Sequence, residues 1–449
     1  MRNDLIKDST LSLFFKFVIP SIVGILVNSL YLIIDGIFIG RGVGEIALAS
    51  INIIFPAACA NMAVGSLFGT GAATLISIRL GENKREEAKD ILGTSIFIMI
   101  LISTVISIVG IIFLEPIMRF LGAEGEVLIL SKQYGTILFL VTPFHVLATG
   151  LNPITRSDGN PKLSMNILII ASILNVFLDW LFVIKLNLGI IGAGCATAIG
   201  IIGSSIYLLF YFFSKQANIR IKLSYLKIKL KLLREVFVSG FMSFAMQVAL
   251  AFIIFIQNQI LLSYGSTLDV SIFAIVGYIS IIFIQILYGI AQGIQPIIGY
   301  NYGANEYGRV RQILKISLIA DVIFGHATFI FVYVFSRKLV GIFNSNPEVI
   351  KLAARRLVIY LASMPTVGIV ITFASYFQAT KRNLFANILS VGRSFVLLIP
   401  ISFILPHFMG VDGVFLAPVV ADYIGLIVTI FICINLKRNS SASKNDLVV

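Results

Sequence analysis

The sequence predicts an all-α polytopic membrane protein. Twelve transmembrane helices are expected in two six-helix lobes, related by a pseudo-two-fold axis along the membrane normal. Three observations carry this expectation. The 449-residue chain is 58% hydrophobic and 12% charged, with a mean hydropathy of +1.00; a soluble domain carries about 25% charged residues. The apolar residues fall in long runs, one after another. The second half of the chain also repeats the first at a nearly fixed offset.

The runs lie near 13–39, 48–78, 91–113, 128–151, 163–184, 189–213, 236–262, 270–300, 313–335, 350–378, 385–405 and 410–436. Each meets the ~20 residues a helix needs to cross a bilayer, and the longer ones imply tilt. Orientation follows from where the basic residues fall. Arg2 and Lys7, Arg79–Lys89, Arg156–Lys162, Lys215–Arg234, Arg309–Lys315, Lys381–Arg382 and the tail residues Lys437, Arg438 and Lys444 hold most of the 34 Lys and Arg. The opposite connections are sparse, with Arg41, Arg119, Lys185 and the pair Arg337–Lys338. Both termini are therefore expected on the cytoplasmic side of the cell membrane. The polar start, Met1 to Ser12, has no cleavable apolar core, so no removal is expected. In a chain this apolar, the net charge of +13 fits loops facing an anionic leaflet and gives no reason to expect nucleic acid.

The segment Lys215–Arg234 carries seven basic residues and no acid. It alternates as Ile219-Arg220-Ile221-Lys222-Leu223, a pattern open to a strand or an irregular surface segment, and it is expected to lie against anionic headgroups. Its central position divides the chain into a first lobe at 1–214, a basic cytoplasmic linker at 215–234 and a second lobe at 235–449.

The repeat appears at a shift of 221–222 residues. Gly71, Gly81, Asn83, Ile91, Leu92 and Pro143 fall on Gly293, Gly303, Asn305, Ile313, Leu314 and Pro365. After a one-residue slip, Leu163, Asn166, Ile167 and Leu168 fall on Leu384, Asn387, Ile388 and Leu389, and Gly189, Gly192 and Ala196 on Gly410, Gly413 and Ala417. Ordered Gly, Pro and Asn matches do not arise from apolar composition alone. Six spans per unit is an even number, so both units start on the same side and the repeat is parallel. Two such bundles suit alternating access.

Ionisable groups inside a span are costly unless they face a cavity or a partner. Asp35 falls near the outer end of the first span, Asp179 near the outer end of the fifth, and Thr197 early in the sixth. Asn175 lies four residues before Asp179, on the same helical face. Two carboxylates, an amide and a hydroxyl are hard oxygen ligands, able to take up a proton or Na⁺. The competing reading is a hydrogen-bonded knot that joins helices. The second half does not repeat these acids: Gln257 stands at the image of Asp35 and Pro400 at the image of Asp179. It carries Asp321, His326, Arg393 and Asp422 instead, and Arg393 could neutralise either acid. In the eighth span Gln285, Tyr288, Gln292 and Gln295 form one polar stripe, echoed in the second span by Ser66, Thr70 and Ser77. Such a stripe lines a water-filled path or packs helices together.

Enzymes and structural metals find little support. Cys59, Cys195 and Cys433 sit in apolar runs without metal-ligand spacing, and His145, His326 and His407 are isolated. No HExxH, GxSxG or GxxxxGK[ST] occurs.

Taken together, the residues resemble the multidrug and toxic compound extrusion (MATE) transporters over essentially the whole chain. The resemblance rests on the two six-helix halves, and on Pro20 followed by Asp35-Gly36-Ile37-Phe38-Ile39-Gly40-Arg41. It rests also on Gly69-Thr70-Gly71 with Leu80-Gly81, echoed by Gly293-Ile294-Gln295-Pro296 with Tyr302-Gly303, and on Asn175 and Asp179 followed by Thr197. Pro418-Val419-Val420-Ala421-Asp422 and Phe377-Gln378-Ala379 look closest to a bacterial branch that includes drug-resistance pumps. Met242 departs from a common proline and Lys381-Arg382 from a Gly-Lys. The resemblance implies antiport: export of amphipathic, often cationic and aromatic compounds in exchange for H⁺ or Na⁺. Asp35, Asn175, Asp179 and Thr197 would then form the coupling-ion site. Asn28 and Tyr31 would line the substrate cavity, to which the sequence adds Gln257 and the Gln285, Tyr288, Gln292, Gln295 stripe. No cofactor is expected beyond the coupling ion, and a monomer is expected. The alternative transport reading is a lipid-linked saccharide flippase, which would need several in-span cations; four acids against Arg393 and Lys16 favour organic cations.

Overall fold

A computed structural model describes residues 5–439; Arg2 and Lys444, counted above among the basic residues, lie outside them. Among the described residues the chain is helical throughout, with no strand. The helices are α1 (Thr10–Gly42), α2 (Glu45–Gly81), α3 (Arg85–Ile112), α4 (Leu114–Phe120), α5 (Gly125–Leu140), α6 (Thr142–Ser157), α7 (Pro161–Asp179), α8 (Gly189–Phe213), α9 (Leu230–Tyr264), α10 (Thr267–Gly303), α11 (Tyr307–Gly341), α12 (Pro347–Tyr360), α13 (Met364–Ala379), α14 (Asn383–Asn387), α15 (Ile399–Met409) and α16 (Val411–Asn439). Ten helical segments are long and apolar enough to cross a membrane, and two bent pairs bring the spans to twelve.

Two of the expected spans are bent pairs of helices. α5 and α6 meet at 56°, and α12 and α13 at 44°. A proline stands early in the second member of each pair, Pro143 in α6 and Pro365 in α13. Its ring cannot donate to the preceding turn, so the helix starts afresh in a new direction. Two other spans continue through wide π-helical turns: Trp180–Lys185 follows α7, and Ile388–Leu398 joins α14 to α15.

The repeat reaches the backbone. Asn83 and Asn305 both adopt left-handed φ, at 60° and 59°. Gly159 and Lys381 match at 89° and 59°, and Gly189 and Gly410 at 60° and 58°. After the first two pairs the chain folds back alike: Lys84 N donates to Arg79 O and Glu306 N to Asn301 O, Asn160 N to Thr155 O and Arg382 N to Phe377 O. Such bonds satisfy the orphan carbonyls at a helix end.

The described residues form two compact units, one holding Val23–Val248 and the other Ile6–Ile22 with the residues from Ala249 on. These units cut through α1 and α9, because the first half of each long helix packs with the other half of the chain. In the first unit α2 crosses the start of α9 backbone to backbone: a Cβ on Gly240 would fall 1.8 Å from the Leu67 carbonyl oxygen, and one on Gly71 2.2 Å from the Val236 oxygen. In the second, α10 crosses the start of α1, and a Cβ on Gly293 would fall 2.7 Å from Val18 Cα. Only glycine permits such approach.

Within the first unit, α2, α3 and α6 build a core around Leu75, Ile76, Ile91, Leu92, Leu151 and Ile154. The opposite faces leave large side chains such as Ile112, Ile170, Ile173 and Phe210 exposed. In a twelve-span chain those faces meet lipid.

The expected headgroup tether, 215–234, is instead strapped to protein. Ile219 and Ile221 are fully buried while Arg220 and Lys222 point outward, which explains the alternation without a strand. The buried Asp158, at the α6–α7 corner, accepts from the Tyr211 hydroxyl at 2.6 Å and from Asn218 N and Ile219 N at 2.8 Å each. Further along, Tyr225 donates to Glu86 and Lys229 pairs with Asp90. The helix of the next span begins at Leu230, before the linker was expected to end.

Candidate functional site

The first unit gathers the polar residues singled out in its spans. α1 brings Asp35, and its second half packs on α7: a Cβ on Gly24 would meet Leu168 at 3.1 Å, and one on Gly42 would meet Val183 at 2.6 Å. α7 ends on Asp179, immediately before the π turn, and Asn175 lies one turn earlier. α8 supplies Thr197. Asp35, Asp179 and Asn175 are buried, at 8%, 0% and 3% exposure. The carboxyl groups of Asp35 and Asp179 come within hydrogen-bonding reach of each other.

Around the acids the bonds form a chain. With its amide oriented to satisfy both ends, Asn175 donates Nδ2–H to Asp179 Oδ2 at 3.1 Å and accepts from Thr197 Oγ1 at 3.3 Å. Tyr134 on α5 lines a pocket together with Thr197, and its hydroxyl lies near both acids. Tyr31, one turn before Asp35 on α1, stands close to the two carboxyls, while Asn28 sits a further turn back and half-buried. Oδ1 of Asp35 and Oδ1 of Asp179 are buried without a hydrogen-bond donor. An unmatched buried carboxylate oxygen is the feature a proton or small cation would satisfy.

Tyr134 was not singled out from the sequence. Its α5 run holds several polar residues, and nothing in it indicates that the break before Pro143 turns this ring toward α1 and α8. With Thr197, Ile137, Val141, Gly194 and Ile201 it lines a small pocket.

The second-unit residues fall into separate places. Gln257 is 2% exposed and its Nε2 lacks a partner. The glutamine stripe does not behave as one surface: Gln295 is buried and donates Nε2–H to Gln378 on α13 at 2.8 Å, whereas Gln285, Tyr288 and Gln292 are half-buried. Gln295 thus serves a helix–helix bond, since Gly293 and Pro296 draw that end of α10 into the packing. Asp321 on α11 accepts from Thr372 on α13 at 2.6 Å. Arg393 does not reach it; Arg393 pairs through Nε with Asp422, whose other oxygen accepts from Ser363 at 2.6 Å. His326 is exposed, with Nδ1 2.8 Å from the Val322 carbonyl of its own helix. Among the described residues, no three His, Cys, Asp or Glu form a metal-binding group.

Comparison with known proteins bears on the family and the fold. The chain is 28% identical over 447 residues to "Multidrug export protein MepA" of Staphylococcus saprophyticus, covering 98% of this chain and 97% of the relative. It is 28% identical over 437 residues to the protein of the same name from Staphylococcus aureus strain N315, covering 96% and 95%. A solved structure, "Crystal structure of MATE in complex with MaD3S", superposes with a TM-score of 0.90 at 21% identity, over 96% of this chain and 97% of that one, and shares its fold. The MatE family model matches residues 20–181 and 233–404, one block in each repeat. With both repeats matched and the fold in agreement, the chain belongs to the MatE family.

Proposed function

We propose that the protein is a secondary antiporter of the cell membrane that exports amphipathic, often cationic organic compounds in exchange for inward H⁺ or Na⁺ by alternating access. One observation carries the reading: Asp35 of α1 and Asp179 of α7 meet where two spans pack together, with one orphaned oxygen each. Two adjacent buried carboxylates repel when both are charged, and a shared proton or a bound cation removes that cost. Asn175, Thr197 and Tyr134 supply the neutral oxygens and donors that keep the acids in register. The names of the curated relatives support the substrate class. In this reading both termini are cytoplasmic, the two repeats, related by an axis along the membrane normal, provide alternating access, and the protein works as a monomer.

Ion and drug then compete. An organic cation drawn to the paired acids loses affinity when H⁺ or Na⁺ neutralises them, and linkage makes the effect mutual. The test is ethidium efflux from proteoliposomes under separately imposed pH and Na⁺ gradients, with ethidium affinity measured in detergent. At least one gradient should drive efflux, and Asp35→Asn and Asp179→Asn should each cut it by about tenfold or more, since typical couplings are ~1–3 kcal/mol. Wild-type affinity should fall as pH drops or Na⁺ rises, with a flatter dependence in Asp35→Asn. Near-wild-type efflux in both variants, at matched reconstitution, would overturn the coupling role.

A further inference from the structure

A second polar cluster, in the second unit, is built to donate rather than accept. Arg393 lies in the π-helical stretch between α14 and α15, inside a span. Its Nε binds Asp422, and both Asp422 oxygens are occupied, one by Arg393 and one by the Ser363 hydroxyl. The two members of the pair are unequally covered: the Asp422 side chain is 4% exposed and the Arg393 side chain 20%. The acid is therefore spent and enclosed, while the Nη1 and Nη2 fork of the guanidinium has no partner among the described residues. Tyr288 of α10 and Tyr360 of α12 lie close enough to interact with it electrostatically. Both are half-buried, and neither hydroxyl is bonded to a described residue. Beyond Tyr360 stands the half-buried Phe273, with ring centroids at 6.3 Å, itself packed on the fully buried Phe415.

A forked cation with two phenols and a further aromatic ring nearby suits an oxyanion carried on an aromatic body. We propose that Arg393, Tyr288 and Tyr360 bind the carboxylate or sulfonate of an aromatic amphipathic molecule, distinct from the cation-attracting acids of the first unit. The proposal extends the transport reading to a second ligand class and rests on it only for the entry of organic molecules into the spans. Asp422 acts here as a positioning residue. It holds the fork in place and tempers its charge.

The test is equilibrium binding in detergent of two xanthene dyes, anionic fluorescein and cationic rhodamine 6G, followed by fluorescence anisotropy. It needs no ion gradient, so its failure would leave gradient-driven ethidium efflux untouched, and the reverse holds as well. Arg393→Gln should weaken fluorescein by about tenfold or more, the scale of one charge-assisted pair, and leave rhodamine 6G within about twofold. Arg393→Lys, which keeps the charge without the fork, should fall between. Tyr288→Phe and Tyr360→Phe, each losing only a hydroxyl, should weaken fluorescein by about threefold or more. Asp422→Asn supplies the opposing sign, because removing the compensating charge should tighten fluorescein. A purely structural ion pair predicts the reverse, with Asp422→Asn and Arg393→Gln impairing both dyes together, and that result would overturn the site. Unchanged fluorescein affinity in Arg393→Gln would overturn it equally. Should Arg393→Gln fail to fold, the tyrosine and Asp422→Asn variants decide: wild-type fluorescein affinity in all three would sink the proposal.

Discussion

Replacing Asp158 by alanine should release the strap that follows α8. The Asp158 side chain is buried, and three donors end on it: the Tyr211 hydroxyl at 2.6 Å and the Asn218 and Ile219 amides at 2.8 Å. A hydrogen bond to a charged group contributes about 1.5–3 kcal/mol, and shared acceptors are not additive. A total near 3 kcal/mol for opening residues 217–222 is therefore a conservative figure. At about 1.4 kcal/mol per decade, the open population should rise roughly 100-fold. Arg220 and Lys222 already point outward, so trypsin needs only an opened backbone to cut there. Where reclosing outruns cleavage, the nicking rate follows the open population. Limited trypsinolysis in detergent, read by mass spectrometry at Arg220 and Lys222, should show the full increase in Asp158→Ala and a smaller one in Asp158→Asn. Asp90→Asn, which removes the partly exposed pair to Lys229, should change the rate by only a fewfold, as solvent-screened pairs do. Wild-type nicking in Asp158→Ala would mean that Ile219 and Ile221 hold the strap by burial alone.

Other outcomes are open to simpler tests. Lys381 occupies a left-handed corner at φ 59°, where its repeat partner is Gly159; Lys381→Gly should stabilise the detergent-solubilised protein by about 1 kcal/mol in thermal unfolding, the cost of a β-carbon in that region. A loss of stability there would mean that the lysine's own contacts outweigh the strain. Hydrogen bonds from Lys132 and Arg119 hold the carboxyl of Glu115 below its usual 4.5. A depressed carboxyl adds stability that is present above its unfolded value and lost as pH falls through the folded one. The melting-temperature advantage of wild type over Glu115→Gln should therefore shrink from about pH 5 downward, and a constant gap would exclude that linkage.

The spans were legible because a bilayer imposes a minimum apolar length, which composition alone reveals. The repeat was legible because Gly71, Gly81, Asn83, Pro143 and Gly189 serve backbone needs, and those needs recur in the second half. Asp35, Asn175, Asp179 and Thr197 could be named because polar groups stand out against lipid-compatible neighbours. What stayed hidden depends on direction. A span that is apolar all round carries no periodicity to say which face is inward, so Tyr134 could not be aimed at Thr197, nor Gln295 at Gln378. The bends before Pro143 and Pro365 needed the packing of α2 and α10 to be seen. The strap was misread because its alternating side chains fit an interface with headgroups as well as one with protein. The placement of Asp158 under the amides of Asn218 and Ile219, with the burial of Ile219 and Ile221, separates the two.

The left-handed corners shared by the repeats bear on how such a transporter can diversify. Asn83, Gly159 and Gly189 hold their left-handed φ at Asn305, Lys381 and Gly410, while the acids buried in the spans do not repeat. Asp35 becomes Gln257, and the acid at 179 becomes Pro400. The corners fix where each helix stops and the next begins, and they are indifferent to cargo. Substitutions along the helix faces can therefore change what one half recognises without moving the frame of the other. A duplicated scaffold of this kind gives its two halves independent vocabularies within one grammar. Exchanging side chains between corners, rather than whole helices, is the natural route to redirecting its selectivity.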